Sequence, residues 1–318
     1  MNIYKKLDKP IFSLAPMEGI TDCIFRKIVT MSSRPDLTYT EFINVDGFNS
    51  KGRKDVSKRL RVLESDIPVV VQLWGLKPEN FKKTAKVIRK KYPIFKGIDI
   101  NMGCSVRNVL SRGTGAGLIE TPTLAKEIIE AIREGSGGLP VSVKTRIGYE
   151  GINTEEWLGF LLEQDLDVIT VHGRIAKQGY TGNANWEEIG KVVKLRDEME
   201  KSTLIFGNGD VKSLEEAREK VETYGVDGVM IGREAWSNPW VFSGKDIEDI
   251  SFEEKKSMLE EHIRLYMEEY GDTGKIYELR KFFKTYINGF EGASKIRQEM
   301  MEIEDGEELL KFVREISF

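Results

Sequence analysis

PVSVKTRIGYEGINTEEWLGFLLEQDLDVITVHGR, residues 140–174, decides the fold. Its first run, Pro140–Arg146, alternates: Val141, Val143 and Thr145 point one way, and Ser142, Lys144 and Arg146 the other. Thr154 reads as the cap of a helix through Leu162, with Glu156 and Trp157 in the first turn. A second apolar run, Asp167–Val171, ends directly in His172. Strand, helix and strand in about 30 residues is the pattern of a parallel βαβ unit.

Working outward, the pattern repeats. Strand candidates fall at 11–15, 37–42, 67–73, 95–101, 140–146, 167–171, 202–206 and 228–231. Helical patterns separate most of them: Thr21 or Asp22 to Val29, Pro78 to about Lys90, Thr123 to Arg133, Trp186 to Arg196, and Ser213 to Tyr224 with Glu216 at the capping-box position. Near-even strand–helix units over roughly 240 residues predict an α/β fold, a (β/α)8 TIM barrel. A doubly wound sheet is the alternative, but no GxGxxG follows the first strand. Beyond about Phe242 the chain is strand-poor, with helical patterns at Lys255–Tyr270, Ile276–Asn288, Ser294–Met300 and Gly306–Ile316. The expected organisation is a barrel over 1–243 and a C-terminal all-helical domain over 244–318.

Composition narrows the function. The 318 residues are 40% hydrophobic and 31% charged, with a formal net charge of -4. That excludes a globally basic nucleic-acid binder and leaves room for a local basic patch. Two histidines exclude a His-rich metal site, and no metal is expected. Two cysteines, Cys23 and Cys104, allow at most one disulfide and read as reduced thiols, so a cytoplasmic location is expected. The N-terminus lacks the apolar run of a signal peptide, and no stretch is apolar enough for a membrane span.

In a barrel, chemistry gathers at the C-terminal ends of the strands. Those ends carry Ala15-Pro16-Met17, Glu41, Gln72, Asn101, Lys144 with Arg146, His172 with Arg174, Asn208, and Gly232-Arg233. Singly, each has a plain structural reading: a local hydrogen bond for Gln72, an edge position for Lys144, a satisfied core histidine for His172. Together they describe a polar, electropositive mouth with few carboxylates. Gly207-Asn208-Gly209-Asp210 and Gly232-Arg233 let backbone N–H groups approach a phosphate, with Arg233 adding charge. The stretch IDINMGCSVRNVLSRGTGAGL, residues 98–118, discharges a strand into a loop bearing Asn101, Cys104, Arg107 and Arg112. Cys104 fits either a nucleophile or a general acid. Cys23, inside the first helix, reads as inert.

Nine segments resemble the tRNA-dihydrouridine synthase family. They are LAPMEGITDCIFR at 14–26, VVQLWG at 70–75, DINMGCSVRNVLSRGTGAGL at 99–118, SVKTRIG at 142–148, ITVHGR at 169–174, GYTGNANW at 179–186, GNGDV at 207–211, MIGREAWSNPW at 230–240 and LRKFFKTYINGFEGASKIR at 279–297. The resemblance implies an FMN-binding barrel that reduces the C5–C6 double bond of uridines in tRNA. NADPH would reduce the FMN before tRNA binds. Cys104 would protonate C5. Ala15, Pro16 and Met17 would line the flavin, Gln72 and Lys144 would bond its ring system, and His172 would lie at its edge. Asn208, Gly209, Gly232 and Arg233 would hold its phosphate, and Asn101 and Arg174 would orient the uracil. The target base must leave the tRNA stack to reach a barrel mouth. The chain departs from the family pattern at Ser105, where proline is usual, and at Glu234, where a second glycine is usual. A freer backbone is expected at Ser105, and Glu234 should point away from the phosphate.

The helical domain is expected to bind tRNA, although residues 245–318 hold 12 Lys/Arg against 19 Asp/Glu. Segregation resolves this: Arg280, Lys281 and Lys284 can share a helical face, with Phe282 and Tyr286 turned elsewhere. Further contacts are expected from Lys51, Arg53, Lys54, Lys58 and Arg59, or from Lys82, Lys83, Lys86 and Lys90, and binding should weaken with salt. No obligate protein partner is inferred. Two alternatives stand beside this reading. One is an FMN-dependent oxidoreductase of a free pyrimidine, the other a non-catalytic tRNA-binding module.

Overall fold

The computed structural model describes residues 2–63, 67–271 and 276–316. Eight parallel strands form a closed barrel in chain order. They are β1 (Ile11–Leu14), β2 (Leu37–Asn44), β3 (Val69–Trp74), β4 (Phe95–Met102), β5 (Val141–Arg146), β6 (Val168–His172), β7 (Leu204–Asn208) and β8 (Gly228–Ile231). Closure is made by β1 on β8, with Ile11 opposite Gly228 and Leu14 opposite Ile231. Such strands are buried on both faces, which is why they read as short apolar runs rather than clean alternations.

The alternation expected for β5 is present. Val141 and Val143 join the shell between strands and helices, and Thr145 accepts a hydrogen bond there from Trp157 Nε1 at 2.9 Å. Ser142 and Lys144 face the barrel axis. Inside the barrel a lower tier is apolar: Ile11, Leu37, Val70, Val168 and Phe206, closed beneath by Tyr4 from the N-terminal turn. The tier above is polar and forms the mouth. This division follows from chain direction, since all eight strands deliver their C-terminal ends to the same rim.

Three of the six main barrel helices begin at a side-chain cap. Asp22, not Thr21, caps Cys23–Ser33 by accepting from Phe25 N at 2.8 Å. Ser213 caps Leu214–Tyr224 by accepting from Glu216 N, while the Glu216 carboxylate takes Lys212 N. Thr154 differs from expectation. It is the first residue of its helix, and its hydroxyl donates to Glu188 Oε2 at 2.6 Å, tying that helix to the next. The remaining barrel helices are Pro78–Lys91, Pro122–Ser136 and Trp186–Glu198.

After β8 and the short helix Arg233–Ser237, the described chain is helical. Phe252–Tyr270 packs on Gly306–Glu315, with Ala293–Glu302 beside them. The expected helix at Ile276–Asn288 is instead a 3-10 turn, Ile276–Phe282, followed by the short helix Phe283–Tyr286. Its apolar residues Ile276, Leu279 and Phe282 recur every third position, the period of a 3-10 turn rather than an α-helix. These helices pack against the barrel. Phe282 stacks on Phe25 of the first barrel helix at 4.9 Å, and Tyr266 Oη donates to Asp22 Oδ2 at 3.0 Å. Their apolar side chains continue the core that wraps the barrel. Among the described residues no helix is long and apolar enough to cross a membrane, and no group of His, Cys, Asp and Glu is placed to hold a metal.

Candidate active site

The polar tier is built by cross-strand pairs. Gln72 on β3 stands opposite Asp99 on β4, Asn101 opposite Lys144, Arg146 opposite His172, and His172 opposite Asn208. Gln72 Nε2 donates to Asp99 Oδ2 at 2.7 Å, and Asn101 Nδ2 donates to Gln72 Oε1 at 2.9 Å. Ser142 Oγ donates to Asp99 Oδ1 at 2.5 Å. Asp99 is fully buried, and burial pushes its carboxyl up to about 6 despite these donors. Its role is to fix the Gln72 amide, and through it Asn101.

Asn101 controls the cysteine loop. Its Oδ1 accepts from Gly103 N at 3.1 Å and Cys104 N at 2.9 Å. Arg146, 2% exposed, closes the other side: its Nε donates to Gly103 O at 2.7 Å, and its Nη1 to Ile175 O and Gly179 O. Ala116 N donates to Cys104 O, and a Cβ at Gly115 would lie 2.7 Å from that same oxygen. Ser105 follows directly on Cys104, whose backbone N–H and C=O are both bonded. Burial raises the Cys104 thiol above its ordinary range, against the lowering pull of Val106 N–H, Arg146 and Lys144. Cys23 is buried and pushed up to about 12, chiefly by desolvation, as expected for an inert thiol; both cysteines are free.

The cations line the opposite arc. Lys144 Nζ donates to Asn208 Oδ1 at 3.0 Å, and Asn208 Nδ2 donates to Met230 O. Burial, reinforced by Arg146, lowers the Lys144 ammonium to about 8. Burial also holds His172 well below the usual imidazole range, with Lys144, Arg146 and Arg174 adding to it. Neutral His172 takes the guanidinium of Arg174 on Nε2 at 3.2 Å, which leaves the proton on Nδ1. Arg174 also donates to Gly182 O, Thr181 O and Asp210 Oδ2. Its donors are thus mostly engaged within the protein. Asp210 bridges Arg174 to Arg233, whose Nη2 reaches Asp210 Oδ1 at 2.8 Å.

The glycine ends behave differently. At Gly209, φ is +126° and a Cβ would stand 2.6 Å from Ala184 Cβ and 3.0 Å from His172 Cδ2, so only glycine fits. At Gly232 a Cβ would merely touch Ala15 Cβ at 3.4 Å and Met17 Sδ at 3.7 Å. Ala15 and Met17 thus stand beside Gly232 at the β1–β8 seam. Burial raises the Glu234 carboxyl, with Lys212 pulling it down and Glu248, Asp246 and Glu216 adding to the rise.

The three expected helical-domain cations are not on one helical face. Lys281 Nζ donates to Gly19 O at 2.5 Å and lies 3.9 Å from Glu278. Arg280 is half-buried, with Nε fully buried and without a hydrogen-bond partner among the described residues. Lys284 alone is exposed. The 3-10 turn ends between them, which breaks the helical register.

Two site residues escaped sequence reasoning. Asp99 stands out only as a charge inside an apolar strand, two residues before Asn101 and so on the same face. Tyr180 is 63% exposed, its ring 6.4 Å from His172 and under Arg146 and Arg233 at 5.7 and 5.3 Å. The GYTGNANW segment contained it without assigning it a role.

The family profile described as "Dihydrouridine synthase (Dus)" matches residues 13–317. The chain is 41% identical over 311 residues to a Bacillus subtilis (strain 168) protein named "Probable tRNA-dihydrouridine synthase 2", covering 97% of this chain and 94% of that one. It is 42% identical over 303 residues to "Probable tRNA-dihydrouridine synthase" of Staphylococcus aureus (strain Mu50), covering 94% and 91%. Among solved structures, an old yellow enzyme homologue from Zymomonas mobilis aligns with a TM-score of 0.48 at 14% identity, over 72% of this chain and 86% of that one. With a matching profile over nearly its whole length and relatives above 40% identity, the chain belongs to the dihydrouridine synthase family.

Proposed function

We propose that this protein reduces the C5–C6 double bond of uridines in tRNA, with FMN as hydride carrier, NADPH as reductant and Cys104 as proton donor. The observation that carries the reading is the Cys104 loop: its backbone is bonded to Asn101 at the barrel mouth, and its thiol is raised by burial. A raised thiol stays protonated near neutrality, which suits an acid and not a nucleophile.

The mouth fits a flavin phosphate ester. It gathers Lys144, Arg146, Arg174 and Arg233 around two carboxylates, and both of those are already bonded: Asp99 to Gln72 and Ser142, Asp210 to Arg174 and Arg233. Ser13 Oγ and Thr170 Oγ1, one pleat below Ala15 and His172, are buried without a protein partner. Asn208, Gly209, Gly232 and Arg233 would hold the phosphate, Gln72 and Lys144 would bond the ring system, and Ala15, Pro16 and Met17 would line it. Bound there, FMN would supply hydride chemistry, with NADPH as its reductant.

The protein's own residues do the rest. Asn101 and Gln72 present amides at the rim, and Asn101 keeps the thiol loop in place. Cys104 Sγ–H would give its proton to C5 as hydride reaches C6, so two electrons and two protons enter the ring with no net charge left on it, and the Cys104 thiolate regains its proton from solvent. Lys144 and Arg146 stabilise charge developing on the uracil carbonyls. Arg174 acts by holding His172 and Asp210, and one remaining Nη1–H is its direct reach toward a base. Residues 244–318 act as a docking platform for the tRNA.

Purified flavin-loaded protein, given NADPH and unmodified tRNA or free uracil, tests the reading. Dihydrouridine should appear in the tRNA and not in the free base. Reduction of the free base alone would establish the small-molecule oxidoreductase. A colourless protein that binds tRNA without reducing it would establish the binding module.

A further inference from the structure

Charge is distributed very unevenly along this chain. Residues 51–61 and 77–91 together hold 13 Lys/Arg against 2 Asp/Glu, in a protein whose net charge is -4. These segments are distant from the acidic helical region in sequence, and the fold makes them neighbours of each other. The short helix Val45–Phe48 leads from β2 into the first segment. Asn49 Nδ2 donates to Asn80 O and to Thr84 Oγ1, and Asn80 Nδ2 donates to Asp46 Oδ1. The second segment contains the helix Pro78–Lys91.

That helix buries Phe81, Thr84, Ala85 and Ile88 and leaves Lys83, Lys86 and Lys90 exposed along one line. Within the described residues none of these three forms an ion pair with a carboxylate. Nearby Lys82 pairs with Glu134, and Lys86 adds a weaker pull on that carboxylate. In the first segment Lys58, Arg59 and Arg61 are paired with Asp55, Glu18 and Glu269. Lys51, Arg53 and Lys54 are exposed and form no ion pair among the described residues, although Lys54 adds a pull on the Asp55 carboxylate, and Arg53 lies over the Phe48 ring at 4.4 Å. The helix starts at the mouth, because it follows the C-terminal end of β3, and its 14 residues carry the charge about 20 Å down the barrel wall.

We propose that this wall, Lys51, Arg53 and Lys54 continuing into Lys83, Lys86 and Lys90, is the main phosphate-binding track for the tRNA backbone. The proposal rests on the tRNA reading of the mouth. A surplus of unpaired cations leading from the mouth suits a polyanion whose target base enters there, and a small substrate has no use for it. The helical region cannot supply an equal surplus: it carries 12 Lys/Arg against 19 Asp/Glu, Lys281 is bonded to Gly19 O, and Arg280 is half-buried. The helical region contributes shape, and the barrel wall contributes charge.

The test is a charge reversal in the full-length flavin-loaded protein, K83E/K86E/K90E, with flavin content as the check on folding and K83Q/K86Q/K90Q as a milder companion. Binding of unmodified tRNA is measured across a salt series, together with KM and kcat for dihydrouridine formation. The expected result is at least a tenfold rise in KM and Kd, kcat at saturation within twofold, and a shallower dependence of log Kd on log salt by about 2 to 3. The same reversal at Lys5 and Lys6, exposed in the N-terminal turn beneath the barrel, should change neither. Unchanged affinity and salt slope would overturn the proposal, as would an equal loss from Lys5 and Lys6. Wild-type protein that binds tRNA without reducing it would break the functional reading alone, and the track would then stand or fall on the binding slope. Wild-type protein that binds no tRNA would overturn both.

Discussion

Two sets of cations, the mouth and the wall, do opposite physical work. At the mouth Lys144, Arg146 and Arg174 are enclosed, each held by named acceptors at 2.5–3.3 Å. On the wall Lys83, Lys86 and Lys90 are exposed at a helical spacing with no fixed acceptor. Enclosed charges act through geometry: a few strong, poorly screened bonds orient specific atoms. Exposed charges act through number, and salt weakens them together. Mouth variants should therefore lose structure, rate or cofactor, whereas wall variants should lose salt-sensitive affinity.

The largest effect is expected at Arg146. Arg146→Ala removes donors to Gly103 O, Ile175 O and Gly179 O, leaving three half-buried carbonyls under-satisfied. A stability loss of about 3 kcal/mol is expected, read as a fall in the denaturation midpoint at unchanged slope. A wild-type midpoint in the variant would show that the two loops do not depend on this guanidinium.

Asn101→Ala comes next. It frees the Cys104 and Gly103 N–H groups without removing the thiol. Dihydrouridine formation should fall about tenfold or more, from about 1–2 kcal/mol of lost positioning, with flavin retained. Full activity would mean that the loop needs no anchor at Asn101.

Lys144 separates the two cation sets by pH. Its ammonium is lowered to about 8, chiefly by burial, so the charged form is lost as pH rises through that value. In the flavin-free protein FMN affinity should fall several-fold between about pH 7 and pH 9, and Lys144→Met should be weak and flat across this range. A falling profile in Lys144→Met would assign the titration elsewhere.

The smallest effect is expected at Glu41, which accepts from Gly19 N at 2.7 Å beside the Met17 loop. Burial, then Glu18 and Asp22, raise its carboxyl from 4.5 to about 7. The folded state thus holds this proton more tightly than the unfolded chain. Its contribution to stability is fully present below about 4.5 and is lost as pH rises to 7. Glu41→Gln should remove that part of the decline in thermal midpoint, while the rest of the pH dependence, from Asp22 and Asp99 among others, persists. Superimposable midpoint curves would show that Glu41 does not titrate in this window.

The barrel was legible because each strand is short, apolar and followed by a helical period. Boundaries moved only slightly, as at 202–206, which is Leu204–Asn208 in the structure. The rim residues were legible for the same reason: strand direction alone delivers Gln72, Asn101, Lys144, His172 and Asn208 to one end. What lay between them was not. The Asp99–Gln72–Asn101 chain runs across two strands, and no spacing within either strand encodes it. Arg174 had the right address, but its partners Asp210 and Gly182 come from later loops. The 3-10 turn at Ile276–Phe282 was hidden by an apolar pattern that an α-helix also satisfies in part.

The most direct test of the central claim is a single turnover of flavin-loaded, NADPH-reduced protein on unmodified tRNA without oxygen, comparing wild type with Cys104→Ala. Dihydrouridine is measured in the tRNA and tRNA binding is measured in parallel. The expected result is intact binding with product formation slowed about 10² to 10⁴-fold in the variant, the range for loss of a positioned acid. Product at the wild-type rate from Cys104→Ala would contradict the account, because the proton at C5 would then come from another group.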